Sequence, residues 1–272
     1  MKSIKIQRDK IFAEYRRKRN RELHARKRRQ FLKEVEARET ELENYLTLSD
    51  CVSGDIEHKR LTTMAKILRE ARASKNNPKA IFSMVQKLNN YLMDENAASK
   101  GKLARFVRTG LLIDYTEILE EELLTGPSAQ IWRNEASLAT LKAEDQDRYH
   151  LVMYITWSVL NVTSGDEKQI DAVFEAGYYR VLLQCLDIRH SFVLGNLIMS
   201  LGNALGNNAK RYRDSLKGLG FLDKFKQLFD ERKDLLADKG LKRDIAWAFS
   251  NYCDGLDEVE EGVSFFSNFI RF

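Results

Sequence analysis

The sequence predicts an all-α protein in which a unit of several helices recurs along the chain. Only 2 of the 272 residues are proline, and runs of β-branched residues are few, so helices are favoured over strands. One pattern centred on an asparagine returns three times, and a second pattern centred on a glycine also returns three times. Patterns that return at a regular spacing indicate a solenoid, in which each unit packs against its neighbours.

The asparagine pattern occupies residues 155–166 (ITWSVLNVTSGD), 198–207 (IMSLGNALGN) and 246–255 (AWAFSNYCDG). In each copy a bulky side chain precedes the asparagine by four positions. The pairs are Trp157 and Asn161, Met199 and Asn203, and Trp247 and Asn251. Residues at i and i+4 lie on the same face of a helix. Each copy is therefore predicted to be a helix that presents a large apolar side chain beside an amide.

The glycine pattern occupies residues 106–119, 173–186 and 215–229, centred on Gly110, Gly177 and Gly220. Each copy predicts a short helix, a sharp turn at the glycine and a second, amphipathic helix. The break at Pro78, with Ser and Asn before it, predicts a helix that starts at this proline.

The spacing identifies the repeat. Asn161 and Asn203 are 42 residues apart, Asn203 and Asn251 are 48 apart, and Gly177 and Gly220 are 43 apart. Armadillo and HEAT units span roughly 40–47 residues. We therefore predict a right-handed armadillo-repeat solenoid of three to four repeats. Gly110 and Gly177 are 67 apart, which predicts an insertion near residues 120–147, placed on the surface as a long excursion.

Charge divides the chain. Residues 1–40 carry 15 Lys and Arg against 6 Asp and Glu, whereas the remainder carries 30 against 34. We predict a basic helical arm in residues 1–45, a linker in residues 46–60 and the repeat domain in residues 61–272. The arm contains two basic clusters: Arg16, Arg17, Lys18 and Arg19, and Arg26, Lys27, Arg28 and Arg29.

Three interpretations of the arm remain open. It could be a solvated or disordered tail, a nucleic-acid-binding arm, or a segment that folds against an acidic protein surface. The lack of aromatic residues between the basic clusters makes nucleic acid an unlikely partner, because bases would have no ring on which to stack.

Several function classes find no support. The four histidines have no paired nucleophile or metal-like spacing, and no glycine-rich phosphate loop precedes a helix. Three separated cysteines favour reduced thiols over disulfides. No apolar stretch is long enough to cross a bilayer. We expect no enzyme activity, no cofactor, no metal and no membrane partner.

The third helix of each unit lines the concave face of a solenoid of helix trios. The Trp and Asn side chains would then form two ladders. An extended peptide could place the stems of cationic side chains on the indoles, and the amides could bind its backbone. A single Trp on a helix is more often part of the core, and a single Asn more often makes a local bond. The recurrence of both in one pattern favours a binding face.

These residues resemble the importin alpha family, the armadillo adaptors of classical nuclear import. The resemblance runs through Trp157–Gly165, Gly202–Gly206 and Trp247–Cys253. It implies that Trp157 and Trp247 wall pockets for lysine and arginine, and that Asn161, Asn203 and Asn251 hold the backbone of a nuclear localisation signal. Gly165 would lie where the family binds a lysine of the signal most selectively. The basic arm would bind importin beta, and the protein would shuttle between cytoplasm and nucleus.

The sequence also departs from that family. Met199 replaces a tryptophan, and Asn207 stands where the family has an aspartate that pairs with lysine. Asp166 and Asp254 are expected to replace this carboxylate in part. The chain has fewer repeats than the family, which implies a short or truncated divergent member. The alternative is a generic armadillo scaffold that binds another protein or RNA, with the arm as an electrostatic tether.

Overall fold

The computed structural model describes residues 54–73, 78–93, 101–126, 128–134, 143–207, 210–231 and 238–253. These residues belong to the compact unit of residues 51–272. Within them the chain forms α-helices and one π-helical turn, Glu121–Thr125. The α-helices are α1 (Gly54–Ala73), α2 (Pro78–Met93), α3 (Lys102–Arg108), α4 (Leu111–Glu120), α5 (Ala129–Arg133), α6 (Ala143–Thr163), α7 (Glu167–Glu175), α8 (Tyr178–Gln184), α9 (Ser191–Gly206), α10 (Lys210–Gly218), α11 (Phe221–Glu231) and α12 (Lys239–Cys253).

The helices are arranged in repeated trios. Each trio has a short first helix, a second helix after a glycine and a longer third helix. The first trio is α3, α4 and α6, the second is α7, α8 and α9, and the third is α10, α11 and α12. Helices α1 and α2 precede the first trio. The turns between first and second helices contain Gly110, Gly177 and Gly220, with φ of 74°, 74° and 78°. Because L-residues with a side chain rarely adopt this left-handed conformation, glycine is the residue these turns need, and the predicted glycine signature is confirmed.

The third helices form one layer. Helices α2, α6, α9 and α12 pack side by side in chain order. The amide of Asn196 donates to the hydroxyl of Thr156 at 3.3 Å, and the amide of Asn203 donates to the hydroxyl of Thr163 at 3.1 Å. Both partners advance by one heptad in the same direction, so α6 and α9 are parallel, as stacked solenoid units require.

Ion pairs join the second helices. Arg72 of α1 lies 2.6 Å from Glu117 of α4 and 3.4 Å from the buried Asp114. Arg180 of α8 donates two hydrogen bonds, each 3.0 Å long, to the carboxylate of Glu120. The layers of the solenoid are therefore joined differently: α1, α4 and α8 by charge pairs, and the third helices by neutral polar groups.

Three boundaries can be compared with the sequence. Helix α1 ends at Ala73 and α2 begins at Pro78, which confirms the predicted break. Helix α1 already begins at Gly54, so the last part of the predicted linker, residues 54–60, is helical. Residues 1–53 and 254–272 lie outside the described residues, and with them the basic arm and its two clusters.

The insertion differs from its prediction. Residues 121–126 and 128–134 form the π-helical turn and α5, and Trp132 is 3% exposed. Leu123 and Ala129 are buried as well. The apolar side chains of this part pack against the solenoid, so it is not the surface excursion that the spacing suggested. Residues 135–142 lie outside the described part of the chain. Among the described helices, none combines the length and the apolar character needed to span a bilayer.

Candidate functional site

The bulky side chains of the asparagine pattern are buried. Trp157 is 1% exposed, Met199 0% and Trp247 8%. The ring of Trp157 stacks on that of Phe192, with 6.1 Å between centroids and 19° between planes. Trp247 lies on Gly202 of the neighbouring helix, where an added Cβ would be 2.2 Å from the indole. The prediction that these side chains line an open groove is therefore wrong: the absence of a side chain at Gly202 lets a large ring fill the space between helices.

The amides of the same pattern bond to the solenoid itself. The Asn251 side chain donates to the carbonyl of Gly202 at 2.8 Å, and that of Asn203 donates to Thr163 at 3.1 Å. The Asn161 side chain donates to its own helix, at the carbonyl of Trp157, 3.0 Å away. Buried polar groups need such partners. Asn203 and Asn251 therefore join neighbouring third helices, whereas half-buried Asn161 remains at the surface.

The sequence analysis missed further members of this polar layer. Asn89 of α2 accepts from Ser158 of α6 at 3.2 Å, and Asn196 of α9 donates to Thr156 at 3.3 Å. All four side chains are fully buried. The signal that could have found Asn196 is its position, seven residues before Asn203, because seven residues are two turns of a helix on one face.

The polar side chains that stay accessible lie where the third helices end. Gly165 and Asp166 follow the end of α6, and Asn207 caps the end of α9. Asp166 is exposed, Asn207 half-exposed. Asp166 also has a structural role: its carboxylate accepts from the backbone N–H of Lys168 at 2.9 Å, and Gln169 completes a capping box at the start of α7. An added Cβ at Gly165 would lie 2.8 Å from the side-chain oxygen of Gln169.

The carboxyl ends of the third helices place negative partial charge along this edge. Thr163 contacts Asn203 near the end of α9, and Gly206 lies close to the amide of Asn251 near the end of α12. The carboxyl ends of α6, α9 and α12 therefore lie together, and each carries the negative end of a helix dipole. None of these three helices has a Lys or Arg in its last turn. Together with the carboxylate of Asp166, this arrangement favours a cationic group at the edge.

The predicted site residues thus fall into three groups. Trp157, Met199, Trp247, Asn203 and Asn251 pack within the third-helix layer. Asn161, Gly165, Asp166 and Asn207 lie along its accessible edge. Asp254 and the two basic clusters lie outside the described residues. Among the described residues, no group of His, Cys, Asp or Glu is arranged to hold a metal ion.

Comparison with known proteins supports the fold. No protein family model matches the sequence, and no curated protein matches it. Among solved structures, a designed armadillo repeat protein in complex with the peptide (KR)4 is similar, with 17% sequence identity and a TM-score of 0.53; the match covers 76% of this chain and 69% of that one. A second designed armadillo repeat protein has 15% identity and a TM-score of 0.48, with 78% and 84% covered.

The chain is an armadillo-repeat solenoid, as the sequence predicts. Solenoids of this class provide extended surfaces for binding and are not typically enzymes. The similarity to designed proteins at this level of identity concerns the fold, and it does not extend to the importin alpha family in particular.

Proposed function

We propose that this protein is an armadillo scaffold that binds an extended basic segment of another protein along the edge formed by the carboxyl ends of α6, α9 and α12. The observation that carries the proposal is the negative edge: parallel third helices end together, without basic side chains in their last turns and beside exposed Asp166. The similar designed protein was solved with a peptide of alternating lysine and arginine, which supports a cationic peptide as the class of ligand.

The narrower form of this proposal is a nuclear import adaptor. It rests on the resemblance to the importin alpha family: the edge would bind nuclear localisation signals, and the basic arm would bind importin beta. In this form the protein would move between cytoplasm and nucleus. Because Trp157 and Trp247 are buried, lysine recognition would depend on Asn161, Gly165, Asp166 and the helix ends rather than on indole walls.

The broad proposal is tested by binding of a labelled (KR)4 peptide, measured by fluorescence anisotropy. Asp166→Asn removes the charge but keeps a residue that caps helices as well as aspartate does. We expect binding to weaken by up to about fivefold, because an exposed ion pair contributes about 1 kcal/mol or less. Asp223→Asn is the matched control, since Asp223 is an exposed carboxylate on α11.

An equal loss of affinity in both variants would show that only the net charge of the protein matters. Absence of saturable (KR)4 binding would reject the proposal. An acidic peptide of the same length serves as the second control and should not bind.

The nuclear import proposal is tested by removing the basic arm. Full-length protein and a variant without residues 1–40 are compared for capture of importin beta. Adaptor function predicts that capture requires the arm while (KR)4 binding does not. If the arm instead serves RNA, the full chain should bind RNA with a steep salt dependence that disappears with the arm.

A further inference from the structure

The insertion contacts the loop that precedes α9. The backbone N–H of Arg189 donates to the carbonyl of Trp132 at 2.8 Å. The guanidinium of Arg133 donates to the carboxylate of Asp187 at 2.6 Å. Arg189 and Asp187 both lie in the connection between α8 and α9. We call residues 121–126 and 128–134 the latch segment, because they join this loop to the preceding repeat.

The latch segment also contacts α6 and is closed by bonds of its own. Arg148 of α6 donates to the carboxylate of Glu122 at 3.3 Å, and the hydroxyl of Ser128 donates to the carbonyl of Glu122 at 3.2 Å. The π-helical turn closes at Gly126, whose N–H donates to the carbonyl of Glu121 at 2.6 Å. An added Cβ at Gly126 would lie 2.3 Å from that oxygen. The latch segment thus contacts α6 on one side and the α8–α9 loop on the other.

Three rings meet where the latch segment reaches α9. Trp132 stacks on Tyr149 of α6, with 5.6 Å between centroids and 5° between planes. The same indole and the His190 ring are nearly perpendicular, with 6.2 Å between centroids and 82° between planes. His190 is the N-cap of α9, and its Nδ1 accepts from the N–H of Val193 at 3.3 Å. An accepting Nδ1 carries no proton, so the neutral ring has its proton on Nε2, which donates to the hydroxyl of Tyr149.

The surroundings of His190 disfavour a second proton on its ring. Burial lowers the pKa of His190 to about 4. The charged residues Asp187 and Arg189 lie in the same loop as His190, and Asp187 pairs with Arg133. Helix α6 contributes Tyr149 and its neighbour His150. The first turn of α9 has no acidic residue. Protonation of Nδ1 would also remove the acceptor for Val193, so an imidazolium opposes both the cap and the burial of the ring.

We propose that the latch segment is proton-sensitive: it holds the α8–α9 loop and the start of α9 against α6 only while the His190 ring is neutral. In the open latch the ring is in water and has the ordinary pKa of about 6.5. Acid therefore favours the open state, and linkage gives an opening constant about 20-fold larger at pH 5 than at pH 7.

Amide hydrogen exchange of the full chain, measured by NMR between pH 7 and pH 5 and corrected for the intrinsic rate, tests this. The amide of Arg189 should lose protection about 20-fold, because its acceptor is Trp132 of the latch segment. The amide of Gly177, which donates to Phe174 at 2.9 Å in the α7–α8 turn, should keep its protection.

His190→Asn removes the titrating ring and keeps a favourable N-cap residue. In this variant the protection of Arg189 should not depend on pH, whereas His58→Asn in α1 should leave the 20-fold change intact. Constant protection of Arg189 in the unaltered protein would overturn the proposal, as would an equal change in His190→Asn. The first criterion needs no variant, so it holds even if a substitution impairs folding.

Discussion

The two interfaces on either side of α9 use the same sequence pattern in different ways. Towards α6, its contacts are between side chains: two amides of α9 donate to two threonine hydroxyls. Towards α12, Trp247 lies directly on Gly202 and the Asn251 amide reaches a backbone carbonyl. The second interface is closer because glycine has no side chain. One motif therefore gives two kinds of interface, and the residues that face it decide which kind forms.

The largest effect on stability is expected at the interface between α9 and α12. Gly202→Ala would place a Cβ 2.2 Å from the Trp247 ring, and we expect a loss of about 1–3 kcal/mol in the free energy of unfolding, the range for overpacked cores. Urea denaturation measures it. The control is Gly218→Ala in α10, where an added Cβ meets nothing within 4 Å; it should be neutral or slightly stabilising.

A double variant sharpens this result. Trp247→Leu should be less harmful in the Gly202→Ala background than alone, since the smaller side chain makes room for the new methyl group. Additive effects of the two substitutions would show that Gly202 and Trp247 do not act together.

A smaller effect is expected at the interface with α6. Thr163→Val keeps the shape and removes one acceptor of the Asn203 amide, so we expect a loss of about 0.5–1.5 kcal/mol in the free energy of unfolding, the usual contribution of one hydrogen bond. Thr62→Val in α1 is the comparison, because Thr62 is exposed and its hydroxyl donates to the carbonyl of His58 in its own helix. Equal loss in both would mean that the interhelical bond contributes nothing to stability.

The smallest effect on stability is expected at the contact between α4 and α8. Arg180→Ala removes the two hydrogen bonds to Glu120, but Arg180 is 48% exposed. We expect a loss below about 1 kcal/mol that declines further in high salt. Thermal unfolding at low and high salt measures it. A large, salt-independent loss would assign a structural role to this pair that its exposure does not suggest.

The parts of the fold that depend on local chemistry were predictable. A left-handed turn needs glycine, and a helix start accepts proline, so Gly110, Gly177, Gly220 and Pro78 could be placed from the sequence. Repeat spacing then gave the solenoid and its three complete units.

The candidate site was harder to predict because its geometry depends on residues about 40 positions away. Whether Trp247 is open or buried depends on Gly202, and whether Asn203 is available depends on Thr163. Trp132 was missed because no repeat pattern includes it. For a residue outside the repeated patterns, the sequence does not predict which residues it contacts, and those contacts are seen only in the structure.

The paired bonds between α6 and α9 have a mechanical consequence. Thr156 with Asn196 and Thr163 with Asn203 occupy equivalent steps two turns apart. A slip of one helix along the other by a single turn would break both bonds at once. The two bonds therefore fix the register of the neighbouring repeats, and α6 and α9 resist sliding along each other.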